Sequence, residues 1–321
     1  MKILGKVLLV ILIVIVCVIV AISALLGYLK YRNEHYWKYA TPAGEIEKRY
    51  TAFGDHDVSY IEFEADNTSC QKYEIWYPSD IAESNHPYPL VVMANGTGVA
   101  ASQYREVFRH FASWGFIVVG NEDGNSRTGA SSAATLDFIL SLNEDGGSDF
   151  CGKVDTNNIG IAGHSQSGVG AINAVTVQEN GHLYKAVFAA STTSPLLADE
   201  HILGAEWRYD ISKVTIPCFM VAGTGNGDAG TATEKTATEG QGICPLWAMI
   251  ENYDAIPDTV DKVMAREVGK DHGDMLRYAD GYMTAWFMYY LHGDSQAGSA
   301  FFGNNAEILS NKNWQDVRIH R

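Results

Sequence analysis

Residues 7–29 form an unbroken run without a charged side chain, bounded by Lys6 and Lys30. As a helix rising about 1.5 Å per residue, the run would be roughly 34 Å long, enough to cross a hydrocarbon core of about 30 Å. It has no polar face, which argues against a helix buried in a soluble core. A cleaved leader has an apolar core of only about 7–15 residues and a small-x-small cleavage site. This run is longer, and Ala21/Ser23 and Ser23/Ala24 are weak sites. The pattern predicts an uncleaved transmembrane signal anchor within residues 1–33. Lys2, Lys6 and the amino terminus slightly outweigh Lys30 and Arg32. The positive-inside rule then puts the short tail in the cytoplasm and the rest outside, as a single-pass protein of the cell membrane. Residues 34–50 read as a tether.

From residue 51 to 321 the pattern changes to short β-branched runs alternating with helical periods. Strands are predicted at 58–64, 73–77, 89–94, 116–121, 159–162, 185–190, 216–222 and 262–268, and helices at 102–114, 132–142, 167–177, 245–253 and 281–291. Runs such as Leu90-Val91-Val92-Met93 are apolar on both faces, as parallel strands covered by helices on both sides must be. The first two strands alternate more and suit an antiparallel edge hairpin. The chain is predicted to be α/β, with a doubly wound, mostly parallel sheet in one domain. Only about 25 residues separate Ala190 from Ile216, too few for a large lid, so the cleft is expected to be open. Leu196, Leu197, Ile202, Leu203 and Trp207 lie in that segment; the sequence leaves open whether they line a wall or pack inward.

Composition narrows the possible partners. Of the 321 residues 46% are hydrophobic and 19% charged, which excludes a disordered or coiled-coil chain. The net charge is −15, yet the first 33 residues hold four bases and no acid. The remaining 19 bases therefore face all 38 acids, a balance of −19. Such a body repels phosphate backbones and anionic lipid surfaces, so no nucleic-acid partner is expected. Cys70, Cys151, Cys218 and Cys244 show no metal-ligand spacing; they suit either two disulfides or buried thiols. No metal or organic cofactor is expected.

The candidate chemistry begins at Gly163-His164-Ser165-Gln166-Ser167-Gly168, which follows a predicted strand and opens a predicted helix. This is G-x-S-x-G in the strand–turn–helix setting that presents a serine hydroxyl at the carboxyl end of a sheet. Ser165 is the candidate nucleophile. A serine needs a base, and His272, after the last predicted strand and before the last helix, occupies the place where this arrangement puts it. The acid that orients such a histidine is expected after the strand ending at Ala222. Asp228 is the first available, with Asp254, Asp258 and Asp210 as alternatives. Oxyanion donors are expected from the N–H of Gln166 and from the loop Asn95-Gly96-Thr97-Gly98, where Thr97 is preferred to Gly98. Asn67-Thr68-Ser69 matches a glycosylation pattern without further support.

These residues resemble the α/β-hydrolase superfamily, and more narrowly the bacterial cutinase and polyester (poly(ethylene terephthalate)) hydrolase group with its dienelactone-hydrolase and platelet-activating-factor-acetylhydrolase relatives. The likeness runs over roughly residues 70–320. It rests on Pro89-Leu90-Val91-Val92 leading to Asn95-Gly96-Thr97, on Phe111-Ala112-Ser113-Trp114-Gly115-Phe116, on Gly152-Lys153-Val154-Asp155-Thr156, on the serine turn, and on Ala285-Trp286-Phe287. The resemblance implies a Ser-His-Asp triad and an acyl-enzyme. It stops short at four places. Thr97 stands where the group has an aromatic residue, and Ser191-Thr192-Thr193 where it has a tryptophan. Phe301-Phe302-Gly303 stands in place of a C-terminal disulfide, and the group's acid falls nearer Asn226 than Asp228. The two missing rings are those that clamp aromatic groups of a polymer.

The expected activity is hydrolysis of a small or polymeric carboxylic ester. An acyltransferase or amide hydrolase on the same triad, and a non-catalytic binding protein that keeps the fold, are the alternatives.

Overall fold

The computed structural model describes residues 2–66, 68–199, 202–237 and 239–321. Asn67 of the glycosylation pattern and His201 lie outside them. The chain divides into two units, residues 1–40 and 41–321. In the first, the apolar run is one helix, α1 (Lys2–Glu34), long and apolar enough to cross a membrane.

The second unit opens with α2 (Glu45–Thr51), inside the stretch read from sequence as a tether. A nine-stranded sheet follows: β1 (Val58–Glu64), β2 (Lys72–Pro78), β3 (Tyr88–Met93), β4 (Ile117–Asn121), β5 (Val154–His164), β6 (Tyr184–Ala190), β7 (Cys218–Gly223), β8 (Lys262–Glu267) and β9 (Trp314–His320). Their spatial order is β1-β2-β4-β3-β5-β6-β7-β8-β9. The six strands from β4 to β8 run parallel, and the edges β1-β2 and β9 are antiparallel. The doubly wound α/β expectation holds, including the edge hairpin.

Between the strands lie α3 (Arg105–Ser113), α4 (Ala130–Glu144), α5 (Gln166–Thr176), α6 (Asn226–Ala229), α7 (Leu246–Ala255), α8 (Met275–Tyr278), α9 (Asp280–His292) and α10 (Ser295–Gly298). Period-2 alternation shares the strand side chains between two helical layers. Leu90, Val92, Ile161, Val187 and Met220 pack with residues of α4, α5 and α7 in one buried cluster. On the other face Phe219 meets Trp286 of α9 at 5.4 Å, and Phe111 of α3 meets Phe287 at 5.9 Å. Phe301, at the place of the group's disulfide, fills this second layer against Phe219, Tyr282 and Trp286. All five cysteines are free; Cys70, Cys218 and Cys244 are buried as small apolar groups.

Besides the short helices α6, α8 and α10, which were not predicted, three elements depart from the sequence reading. β5 starts at Val154 rather than 159, because Val154 and Asp155 already pair with Tyr88 and Pro89 of β3 before a register shift carries the ladder on to Ile159. β9 was not expected. A bulge at Asp316, in the left-handed region (φ 53°), interrupts its alternation opposite a register shift in β8. α2 is held in part by polar contacts: the buried Glu47 carboxylate accepts from Ala43 N–H, Asn311 Nδ2 and Trp314 Nε1. Across the sheet end, residues 191–217 contain only two 3₁₀ turns among the described residues, Ala205–Trp207 and Ile211–Lys213. Among the described residues no large lid lies there.

The order of strands places the site. The chain passes from β3 to β4 on one side and returns to β5 on the other. The loops leaving β3 and β5 therefore diverge at their carboxyl ends, where open α/β sheets form crevices.

Candidate active site

β5 turns into α5 through Ser165, whose backbone (φ 63°, ψ −123°) is a conformation that non-glycine residues rarely adopt. The crowding around it explains the flanking glycine. A Cβ on Gly163 would sit 1.9 Å from the Ser167 carbonyl oxygen. Ser167 in turn pins the turn from inside. Its hydroxyl accepts the N–H of His164 at 2.6 Å and donates to the carbonyl of His164 at 2.7 Å.

The structure brings Ser165, His272 and Asp228 together. His272 Nε2 lies 2.8 Å from Ser165 Oγ, and its Nδ1 lies 2.7 Å from Asp228 Oδ1. Asp228 sits on α6, just past β7, and is fully buried. Its second oxygen accepts from Ser191 Oγ at 2.6 Å and from Gly223 N–H at 2.7 Å. A carboxylate removed from water needs such donors, and three converge on this one. The alternative acids are engaged elsewhere. Asp210 caps the turn at Ser212, Asp254 pairs with Arg318 at 3.1 Å, and Asp258 pairs with Lys262 at 3.0 Å.

Two residues that sequence reasoning missed support this trio. Ser191 takes up a left-handed backbone (φ 46°) at the end of β6 and donates to the acid. Asp271 accepts the N–H of His272 at 2.8 Å and the N–H of Asp228 at 3.0 Å. Burial alone would raise the Asp271 carboxyl. The N–H donors of His272, Gly227 and Asp228 outweigh it and hold the group below the usual carboxylate range. A Cβ on Gly225 or Gly227 would lie 2.5 or 2.7 Å from this side chain, which accounts for the glycine-rich run before Asp228.

The candidate oxyanion loop follows β3. Asn95 anchors it by donating to the backbone of Asn121 and Asp123 at 2.7 and 2.9 Å. Gly98 N–H is committed to the carbonyl of Gly124 at 3.3 Å. The N–H groups of Thr97 and Gln166 have no acceptor among the described residues, and Thr97 is exposed. The Gln166 side chain is turned away and locked. Its Nε2 donates to Gly124 O and its Oε1 accepts from Arg127 Nη1, each at 2.9 Å. Arg127 also pairs with Glu206 and lies 5.4 Å from the Trp207 ring centroid, so it ties the 3₁₀ turn at 205–207 to the residue after Ser165. Nothing in the sequence marked Arg127. No group of three or more His, Cys, Asp or Glu placed to hold a metal ion occurs among the described residues.

A hydroxyl hydrogen-bonded to an imidazole that is oriented by a buried carboxylate is the arrangement of nucleophilic acyl transfer. A family model described as PETase, PET hydrolase-like, matches residues 50–238. The match covers more than half of the chain, and the chain belongs to this family. It is an α/β-hydrolase-type family whose members act on esters. No curated protein matches the chain.

Proposed function

We propose that this member of the PET hydrolase-like family is a serine hydrolase of carboxylic esters, anchored in the cell membrane by α1 with its catalytic domain outside the cytoplasm. The observation that carries the reading is the double engagement of His272, at 2.8 Å to Ser165 Oγ and 2.7 Å to Asp228 Oδ1.

In this reading Ser165 Oγ attacks the acyl carbon while His272 Nε2 takes its proton. Asp228 accepts from Nδ1 and stabilises the imidazolium that forms. The N–H groups of Thr97 and Gln166 receive the developing oxyanion, the larger part of such catalysis. His272 then protonates the leaving alcohol, a water molecule loses its proton to the freed imidazole, and attack on the acyl-enzyme releases the acid. The residues at the two clamp positions, Thr97 and Ser191-Thr192-Thr193, offer no ring to an aromatic polymer. Ser191 is occupied with Asp228. The open cleft and these small polar side chains favour small or extended aliphatic esters as substrates.

The test is turnover of p-nitrophenyl esters, acetate through palmitate, by the full chain in detergent beside S165A and H272A. Hydrolysis should fall by roughly 10⁴-fold or more in both variants. Turnover that survives S165A would remove the nucleophile, and with it this mechanism.

A further inference from the structure

The residue before the candidate nucleophile links the two halves of the site. His164 ends β5 with its ring buried. Its Nε2 lies 2.5 Å from the backbone oxygen of His272, and the two rings are 4.8 Å apart at 41°. A carbonyl oxygen only accepts, so Nε2 of His164 carries the proton and the hydrogen bond fixes the tautomer. The backbone of His164 is held by Ser167 on both its N–H and its C=O. His272 is therefore gripped at four places. Asp228 takes Nδ1, Ser165 meets Nε2, Asp271 accepts its N–H, and His164 donates to its C=O.

We propose that His164 is a positioning residue, whose Nε2–H braces the loop of the base against the serine turn and keeps Ser165 and His272 at reacting distance. The proposal rests on the serine-hydrolase reading above. Residues 164 and 165 are neighbours, so the link closes a small ring. It runs from Ser165 Oγ through the His272 imidazole and backbone to the His164 imidazole and back along the chain. Rotating either loop stretches the 2.8 Å or the 2.5 Å contact. Burial and the nearby His272 hold the His164 imidazole down at about 4. The ring is thus neutral where a histidine base works, and sets no second cation beside the imidazolium that forms on His272.

The experiment compares H164Q, whose amide nitrogen reaches the place of Nε2, with H164N, whose amide falls short. Both are made in the full-length protein in detergent and assayed on p-nitrophenyl acetate. Asn is expected to lower kcat about 10- to 100-fold with KM changed less than about twofold, and Gln to recover activity to within about threefold of wild type. Nitrogen NMR of the wild type should show His164 as the neutral Nε2–H tautomer. A kcat for H164N within threefold of wild type overturns the proposal, as does H164Q no better than H164N, or an Nδ1–H tautomer. Where H164N does not fold, H164Q and the tautomer decide. A wild type without turnover, or S165A as active as wild type, instead refutes the serine-hydrolase reading on which the proposal stands.

Discussion

One oxygen of Asp271 accepts the backbone N–H of both Asp228, at 3.0 Å, and His272, at 2.8 Å. The loops that deliver the candidate acid and the candidate base are thereby fastened to each other through a residue that touches neither of those side chains. D271A leaves these donors unpaired and frees both loops, so kcat on a p-nitrophenyl ester is expected to drop about 10- to 100-fold with KM little changed. Equal kcat in D271A and wild type would remove this role.

The same residue gives a pH dependence of stability. Its folded carboxyl lies below the usual range, with burial opposed and outweighed by N–H donors. A depressed carboxylate contributes stability that is present above its unfolded value near 3.9 and lost as pH falls through its folded value. The melting temperature of D271N should therefore lie below that of wild type at neutral pH, and the two should converge on acidification below about pH 4.

Glu267, at the end of β8, has the opposite sign. Burial first, then the charges of Glu47 and Asp274, raise its carboxyl to about 8 against the pull of Lys270. A raised folded value means that its stabilising contribution is complete below the unfolded value and is lost as pH climbs through about 8. E267Q keeps the shape without the charge. Its melting temperature is expected to exceed that of wild type above pH 8, with the gap closing in mild acid. A constant offset across that range would refute the assignment.

His110 of α3 and Asp280 of α9 form a fully buried pair at 2.8 Å, and His110 Nε2 lies 2.8 Å from the carbonyl of Ala52. Burial would lower the imidazole; Asp280 and the backbone acceptors outweigh it and raise it. The stabilisation is present below the unfolded value near 6.5 and lost as pH rises through the higher folded value. H110L strands the carboxylate and should cost about 3–5 kcal/mol at pH 6, with a smaller loss in alkali, read by chemical denaturation.

The serine turn was legible because strand, small residues and helix are contiguous, and His272 because chain order places the base last. Asp228 was legible only as the first acid after its strand. What fixes it is Gly223 at the end of β7 together with Ser191 and His272, 37 and 44 residues away, and no local pattern encodes that meeting. Asp271 and Arg127 were illegible for the same reason, since the contact of Asp271 with Asp228 and that of Arg127 with Gln166 join residues about 40 apart in sequence. The sheet was read from apolar runs, which is why β9 escaped: the bulge at Asp316, with its carboxylate 2.8 Å from Arg266 Nε, breaks the period that reveals a strand. α2 escaped because the burial of Glu47 depends on Asn311 and Trp314, more than 260 residues away.

That distant pairing has a mechanical side. The Thr41 carbonyl accepts from Asn313, the N–H groups of Ile46 and Glu47 donate to Glu307, and the Glu47 carboxylate is clasped by Asn311 and Trp314. Trp314 begins β9, which is laddered to β8, the strand that leads into the loop of His272. Tension applied at Thr41 is therefore carried by several hydrogen bonds loaded together and passed along two strands to the segment bearing the candidate base. Immobilising the protein by its N-terminal side loads this path, whereas attachment through β1, at the opposite edge of the sheet, bypasses it.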